Sequence, residues 1–330
     1  MDLEMLQERA RIIRTVRSFF DQRNYLELDT PLLSPDLIPE SCLEVFETNR
    51  LSPTGIQQKG AARPYWLIPS PEIWMKKIIA QHRTNVYQIC KCFRNGESSG
   101  FLHSPEFTML EYYTMNADYM DSLALTEELV AFLDSGPAFR PPFDRITVAE
   151  AFARYAGFDL FEAAKKSGAM EAEARRLGLN PPPGLDIPGL YDLIFIHAVE
   201  PHLNREKPLA LLDYPAFVPC LAKQCGNTME RWELYFRGIE LANCFTEESD
   251  PETVRRFFES ESAAKEQSAL VRHTVDHDFW KIFLPKKTAG GEQSFPRCSG
   301  VALGLDRLIM TLCRRSTIDS VLPFSAEMYA

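Results

Sequence analysis

The chain has no cysteines at Cys-x-x-Cys spacing. Its eight, Cys42, Cys90, Cys92, Cys220, Cys225, Cys244, Cys298 and Cys313, are scattered, which excludes a zinc ribbon and a disulfide framework. They read as reduced thiols. A long apolar run is missing too: nothing approaches the roughly 18 consecutive residues of a membrane span. The start, "MDLEMLQERARIIRTVRSFF", carries Asp2 and Glu4 and lacks the basic and apolar regions of a signal peptide, so a cytoplasmic protein is expected. There is no surplus of positive charge. With 36 Lys and Arg against 46 Asp and Glu the net charge is −10, which argues against broad, non-specific binding to phosphate backbones. Arg9, Arg11, Arg14, Arg17, Lys76, Lys77 and Arg83 concentrate in the first quarter and read as solvated helix faces. No HExxH pattern occurs, so His273 and His277, at i and i+4, read as residues of a surface helix and not as metal ligands.

What is present suits a globular protein. Hydrophobic residues make up 45% and charged residues 25% of 330, which predicts one large domain, residues 1–330, carrying an insertion. Leu6, Ile12, Ile13, Val16, Phe19 and Phe20 recur at helical spacing and predict a helix over about 4–23. "NYLELDTPLL" reads as a strand ended by Pro31. Residues 47–64 read as a loop. "YWLIPSPEIWMKKIIAQH" reads as a strand and then a helix, with Ser70 near its N-cap and Pro71 and Glu72 in its first turn. Segments 86–93 and 106–113 read as paired antiparallel strands. Between about 116 and 228 helical runs at 118–133, 147–156, 161–177 and 188–199 predict a mainly helical insertion. Beyond it "WELYFRGIELANCF" and "SGVALGLDRLIMTL" each supply a strand, the second passing through Gly304 into a helix. The mixed order favours α+β around an antiparallel sheet.

The stretch "KCFRNGESSGFLHSPEFTMLEYY" carries the chemistry. Side chains alternate along a strand, so Phe107, Met109, Glu111 and Tyr113 share one face, with Arg94 opposite the start of that arm. A cation, an aromatic plate and a carboxylate on one surface suit a nucleotide and a cationic partner. A structural hairpin tied by a salt bridge fits that geometry equally well. "GIELANCFTEESD", with Glu240, Asn243 and Glu247, and "SGVALGLDRL", ending in Arg307, tip the balance toward a site.

Together these stretches resemble the catalytic core of class II aminoacyl-tRNA synthetases of lysyl type, over about residues 8 to 326. "NYLELDTPLL" is similar to the first motif of that class, "FRNGE…HSPEFTMLEYY" to the second and "GVALGLDRL" to the third. "SPE" at 70–72 and "GIELANCFTE" at 238–247 look like the lysine-pocket segments. A bare lysine-type core without the N-terminal anticodon-binding barrel resembles the elongation factor P–(R)-β-lysine ligase family, as do "VEPHLNREKP" and "YPA" in the insertion.

The resemblance implies an antiparallel sheet flanked by helices and a homodimer formed around Pro31. It implies ATP- and Mg2+-dependent activation of lysine or (R)-β-lysine to an adenylate, then transfer to a lysine of elongation factor P. Arg94 would bind the α-phosphate, and Arg307 the far phosphates or the adenine. Phe107 would stack on adenine, Glu97 and the backbone around Asn95 would read its edge, and His103, Ser104, Leu241 and Gly304 would complete the ATP site. Glu240 would hold Mg2+. For the amino acid, Glu72 would pair the backbone-side ammonium, Glu111, Tyr113 and Glu247 would receive the side-chain ammonium and Asn243 the carboxylate, with Ser70 also in that pocket. Ala302 stands where lysyl-tRNA synthetases usually have glycine, and its methyl group would line the pocket wall. The second-motif loop departs from the pattern: Glu97 follows Arg94 by three positions, Phe101 and Leu102 precede His103 where an arginine is usual, and Ser104 replaces a frequent asparagine. Other readings are lysyl transfer to tRNA, a carrier protein or a small molecule, and an inactive lysine-binding regulator. The missing anticodon domain weighs against tRNA, and retention of Arg94, Glu240 and Arg307 weighs against the regulator.

Overall fold

The computed structural model describes residues 2–51, 62–96, 101–288 and 291–324. The chain divides into two compact units, Met1–Asn116 with Ser249–Cys298 and Ala302–Ala330, and Ala117–Glu248 with Ser299–Val301.

The first unit opens with α1 (Leu3–Asp21). The Asp2 carboxylate caps it, accepting from the Glu4 and Met5 amides at 3.0 and 3.4 Å. Ile12, Val16, Phe19 and Phe20 are buried as the spacing predicts, Met5 joins them, and Leu6 and Ile13 are half-buried at the edge of the stripe. Arg9 corrects the solvated-face reading: it lies on the buried stripe because Asp306 and Thr108 partner it there. Phe20 stacks on Tyr87 with ring centroids 4.7 Å apart and meets Tyr112 at 4.9 Å. Those tyrosines sit on β5 (Val86–Phe93) and β6 (Glu106–Met115), which pair antiparallel over their length. β1 (Leu26–Glu27) flanks β5 in parallel, and β14 (Cys298–Gly304) is the neighbour of β6, leading into α9 (Leu305–Leu312).

A smaller antiparallel sheet runs in the order β2 (Leu33–Ser34), β4 (Ala62–Leu67), β3 (Glu47–Leu51). Leu37, Val45, Trp66 and Ile68 pack beside it, with Val271 against them. The loop expected at 47–64 is thus a strand at Glu47–Leu51. All five of its residues are exposed, so it has no apolar alternation to read, and backbone pairing with β4 holds it. α2 (Glu72–His82) begins one residue later than its sequence signals suggest. Pro71 is its N-cap and makes no side-chain cap bond, and Ser70 stands outside it. α8 (Pro251–Ser268) and the short hairpin β12 (Lys286–Thr288) and β13 (Gly291–Gln293) complete the unit. His273 and His277 lie beyond the end of α8 in irregular chain, which corrects the surface-helix reading.

The second unit contains α3 (Tyr119–Leu133), started by a capping box between Asp118 and Asp121. Its sheet runs in the order β11 (Ile239–Thr246), β10 (Thr228–Phe236), β8 (Leu209–Pro215), β7 (Asp144–Thr147), and β9 (Gln224–Cys225) also pairs β10. β7 and β8 are parallel. The pairs that β10 makes with β11, β8 and β9 are antiparallel. Helices α4 (Val148–Ala151), α5 (Leu160–Lys165), α6 (Ala169–Arg176) and α7 (Ile187–Ile194) enclose a core in which Phe152 and Phe195 stack on Tyr191 at 5.3 and 5.8 Å. The helical insertion therefore also carries strands. The single run expected over 161–177 is broken before α6 by Gly168, whose φ of 73° no ordinary side chain adopts cheaply. "WELYFRGIELANCF" is two strands, because Arg237 and Gly238 take φ of 55° and 76° and form the two-residue left-handed turn of a tight hairpin.

Candidate active site

In the first unit the β5–β6 hairpin has two distinct faces. Residues directly opposite each other in an antiparallel pair project to the same side. Tyr87 and Tyr112 turn toward α1, so Gln88, Cys90 and Cys92 share the other face with their partners Glu111, Met109 and Phe107. On that face the Arg94 guanidinium lies 5.3 Å from the Phe107 ring centroid. The Arg94 amide donates to the Pro105 carbonyl at 3.0 Å, which closes the hairpin and fixes where that side chain starts. Further along, the Tyr113 hydroxyl donates to Glu111 Oε1 at 2.8 Å. Glu111 is 3% exposed, and burial, reinforced by the Glu72 carboxylate, holds its carboxyl well above the usual range.

Glu72, the first residue of α2, accepts from the Lys76 ammonium at 2.5 Å, and Lys76 is 1% exposed. Ser70 is half-buried just before that helix. Asn95 is tied down: its amide donates to the Glu44 carbonyl at 2.9 Å and its Nδ2 to the Val45 carbonyl at 3.3 Å. Glu97 lies outside the described residues. His103 is half-buried and Ser104 buried before β6. Arg307, in the first turn of α9, donates from Nε to the Leu102 carbonyl at 3.2 Å, which anchors it to the chain beside them. Ala302 and Gly304 are half-buried on β14.

The other four residues, Glu240, Leu241, Asn243 and Glu247, belong to the second unit. Plain alternation would put Glu240 and Asn243 on opposite faces of β11. The register instead shifts between Leu234 and Tyr235, so that Glu240 pairs with Tyr235 and Asn243 with Glu233. Three residues of β11 then oppose two of β10. That bulge at Leu241 brings Glu240 and Asn243 to one side, with Arg231, Glu233 and Tyr235. Arg231 donates to Glu233 at 2.6 Å and, from Nε, to Asn243 Oδ1 at 3.2 Å. An arginine can only donate, so the Asn243 oxygen faces it and the amide nitrogen points elsewhere. Glu247 is buried at the far end of the strand, opposite Ala222.

Several contributors escaped the sequence reading. Lys76 corrects the solvated-face reading: it is buried because Glu72, four residues before it on the same helix, partners its ammonium, and that spacing signals a helical ion pair. Glu40 gives no local signal. It lies near enough to feel Glu72, Arg94 and Lys265, and burial together with the Glu72 charge pushes its carboxyl up to about 7. Arg231 and Glu233 alternate as an ordinary strand pair would.

The donor chemistry fits a nucleotide and a hard cation. Among the described residues no group of three or more His, Cys, Asp or Glu could hold a metal by itself. A Mg2+ would therefore take one protein carboxylate and complete its shell with phosphate oxygens, and Glu240, a half-buried oxygen donor, suits that. Arg94 beside the Phe107 ring supplies a charge for phosphate and a plate for a base.

Residues 3–328 match the family model of class II tRNA synthetases (D, K and N). Three relatives bear the same name, elongation factor P–(R)-β-lysine ligase. The protein from Avibacterium paragallinarum is 35% identical over 98% of this chain and 96% of its own length. The one from Pasteurella multocida is 33% identical over the same shares, and that from Vibrio atlanticus 34% identical over 98% and 95%. The chain belongs to the elongation factor P–(R)-β-lysine ligase family within the class II synthetases. Among the described residues no helix is long and apolar enough to cross a membrane.

Proposed function

We propose that this ligase activates lysine or (R)-β-lysine with ATP and transfers it to a lysine side chain of elongation factor P. The observation that carries the reading is the polar face of the β5–β6 hairpin, where Arg94 lies against Phe107 and Glu111 is bonded to Tyr113. In the first step a carboxylate oxygen of the amino acid bonds to the α-phosphorus and pyrophosphate leaves. Arg94 neutralises the α-phosphate and Arg307 the departing phosphates, which lowers a barrier made mainly of charge and alignment. Phe107 carries the adenine, with Asn95, Glu97, His103, Ser104, Leu241 and Gly304 around the nucleotide. Glu240 would hold Mg2+, which would supply neutralisation of phosphate charge when bound. Glu72 and Ser70 receive the backbone-side ammonium. Glu111, Tyr113 and Glu247 receive the side-chain ammonium, and Asn243, turned by Arg231, gives its amide N–H to the carboxylate. In the second step the amine of the acceptor lysine bonds to the carbonyl carbon, AMP leaves and the amine gives up a proton.

Intact-mass measurement of elongation factor P after incubation with this protein, ATP and each lysine isomer tests the reading. A mass increase of one lysyl residue that requires ATP supports it. An unmodified factor in the presence of amino-acid-dependent ATP–pyrophosphate exchange would move the acceptor elsewhere, and no exchange with any amino acid would end the enzyme reading.

Two further expectations belong to this reading. Ala302→Gly is expected to shift preference toward α-lysine, because removal of one methyl from a pocket wall changes discrimination by about 1–3 kcal/mol. Equal ratios of exchange rates for the two isomers before and after would exclude that role. The chain is read as one catalytic domain over 1–330 with an insertion at 116–228, working as a homodimer through the segment around Pro31. Leu26, Leu32 and Leu33 there are 53%, 36% and 49% exposed, an apolar cost that a second copy would remove. Sedimentation equilibrium should give a dimer that Leu33→Lys weakens; a monomer at micromolar concentration would refute it.

A further inference from the structure

Gln88 sits in the middle of β5, directly opposite Glu111 on β6, and is 1% exposed. Its amide oxygen has no hydrogen-bond partner among the described residues, and its amide nitrogen has only the neighbouring Cys90 sulfur, a weak acceptor, to turn to. The neighbouring Glu111 Oε2 is likewise without one, although Oε1 of the same carboxyl is held by Tyr113. Buried polar atoms are nearly always bonded, and leaving them otherwise is costly. Here two such acceptors, Gln88 Oε1 and Glu111 Oε2, lie on two facing residues, on the face that also carries Arg94 and Phe107. An amide N–H and a carboxylate oxygen on adjacent side chains could bond each other, yet they do not.

The remaining acceptors define their ligand. A carboxylate oxygen and an amide oxygen side by side accept; an alkylammonium supplies several N–H donors and the charge that Glu111 needs. A neutral donor could bond both oxygens but would leave a buried Glu111 carboxylate without a counter-charge, and an anionic group would be repelled by it. We infer that Gln88 contacts substrate directly, its amide oxygen sharing the terminal ammonium of the amino acid with Glu111 and Tyr113. This rests on the amino-acid activation proposed above and assigns that pocket a residue that none of its sequence motifs marks. A neutral amide at this position also has a purpose: it adds an acceptor without a second negative charge beside an already buried carboxyl.

The experiment compares wild type, Gln88→Leu and Gln88→Glu in lysine-dependent ATP–pyrophosphate exchange and in thermal stabilisation by lysine without ATP. Gln88→Leu should raise the KM for lysine roughly 10- to 100-fold, the usual loss for a hydrogen bond to a charged group. The KM for ATP should be unchanged, the stabilisation by lysine should shrink, and the free protein should melt no lower than wild type. Gln88→Glu should move the pH profile for lysine upward, because a second carboxylate holds the pair protonated to higher pH. An unchanged KM for lysine, an equal rise in the KM for ATP, or a free protein that melts lower would each overturn the assignment. A wild type that neither exchanges nor is stabilised by either lysine isomer would overturn the activation reading, and this assignment with it.

Discussion

Arg94→Ala is expected to lower amino-acid-dependent ATP–pyrophosphate exchange by ~10²- to 10³-fold, the loss that follows removal of one preorganised charge contact to a transition state. The size of the effect comes from preorganisation. Arg94 begins at a hairpin closed by the hydrogen bond its own amide N–H donates to the Pro105 carbonyl, and its guanidinium lies against the Phe107 ring. It is half-buried, so its charge is screened less than that of a surface arginine. Arg94→Lys is expected to recover little, since an ammonium cannot grip two phosphate oxygens in one plane. Melting of the alanine variant near the wild-type temperature would show that the loss is chemical. Exchange within about threefold of wild type would take Arg94 out of the reaction.

The largest stability effect is expected at Asp306. Its carboxylate meets Arg9 at 2.6 Å and accepts from the Thr108 amide at 2.6 Å, while Arg9 also donates to the Thr108 hydroxyl at 3.0 Å and to the Val321 carbonyl at 3.3 Å. Asp306 is 1% exposed and Arg9 8%. Asp306→Ala leaves a buried guanidinium without its counter-charge and a strand amide without its acceptor, and is expected to cost about 3–5 kcal/mol. Urea unfolding followed by tryptophan fluorescence would measure it. A double replacement, Arg9→Met with Asp306→Leu, should regain much of the loss, because removal of both charges leaves none uncompensated. A single variant within about 1 kcal/mol of wild type would show the pair to be dispensable. Asp306 precedes Arg307, so a rise in the KM for ATP is expected to accompany the loss.

The hairpin was legible because its information is local. Periodicity placed both strands, and alternation put Phe107, Glu111 and Tyr113 on one face. Glu240 and Asn243 were identifiable as candidates, but not as sharing a face. That depends on the bulge at Leu241, which arises from pairing with β10 and has no glycine to announce it. Arg9 looked like its neighbours on a basic helix, because what sets it apart is a partner 297 positions away, at Asp306. The same holds for Lys265, whose ammonium reaches the carbonyls of Glu40 and Leu43. Glu47–Leu51 was misread because a strand exposed on both faces carries no apolar rhythm. Gln88 carries no local signal, because a lone polar residue in a strand says nothing until its buried amide oxygen is found beside Glu111 without a donor.

The tyrosine ladder beneath the hairpin has a consequence for change over time. Phe20, Tyr87 and Tyr112 hold the strands to α1 through one set of alternating positions, and the recognition we propose would use the other set. Foundation and specificity are written in interleaved letters of the same two segments. Positions 88, 90, 109 and 111 can therefore be rewritten together in a library while 87 and 112 stay fixed, and a new amino-acid preference can be sought without rebuilding the scaffold that presents it.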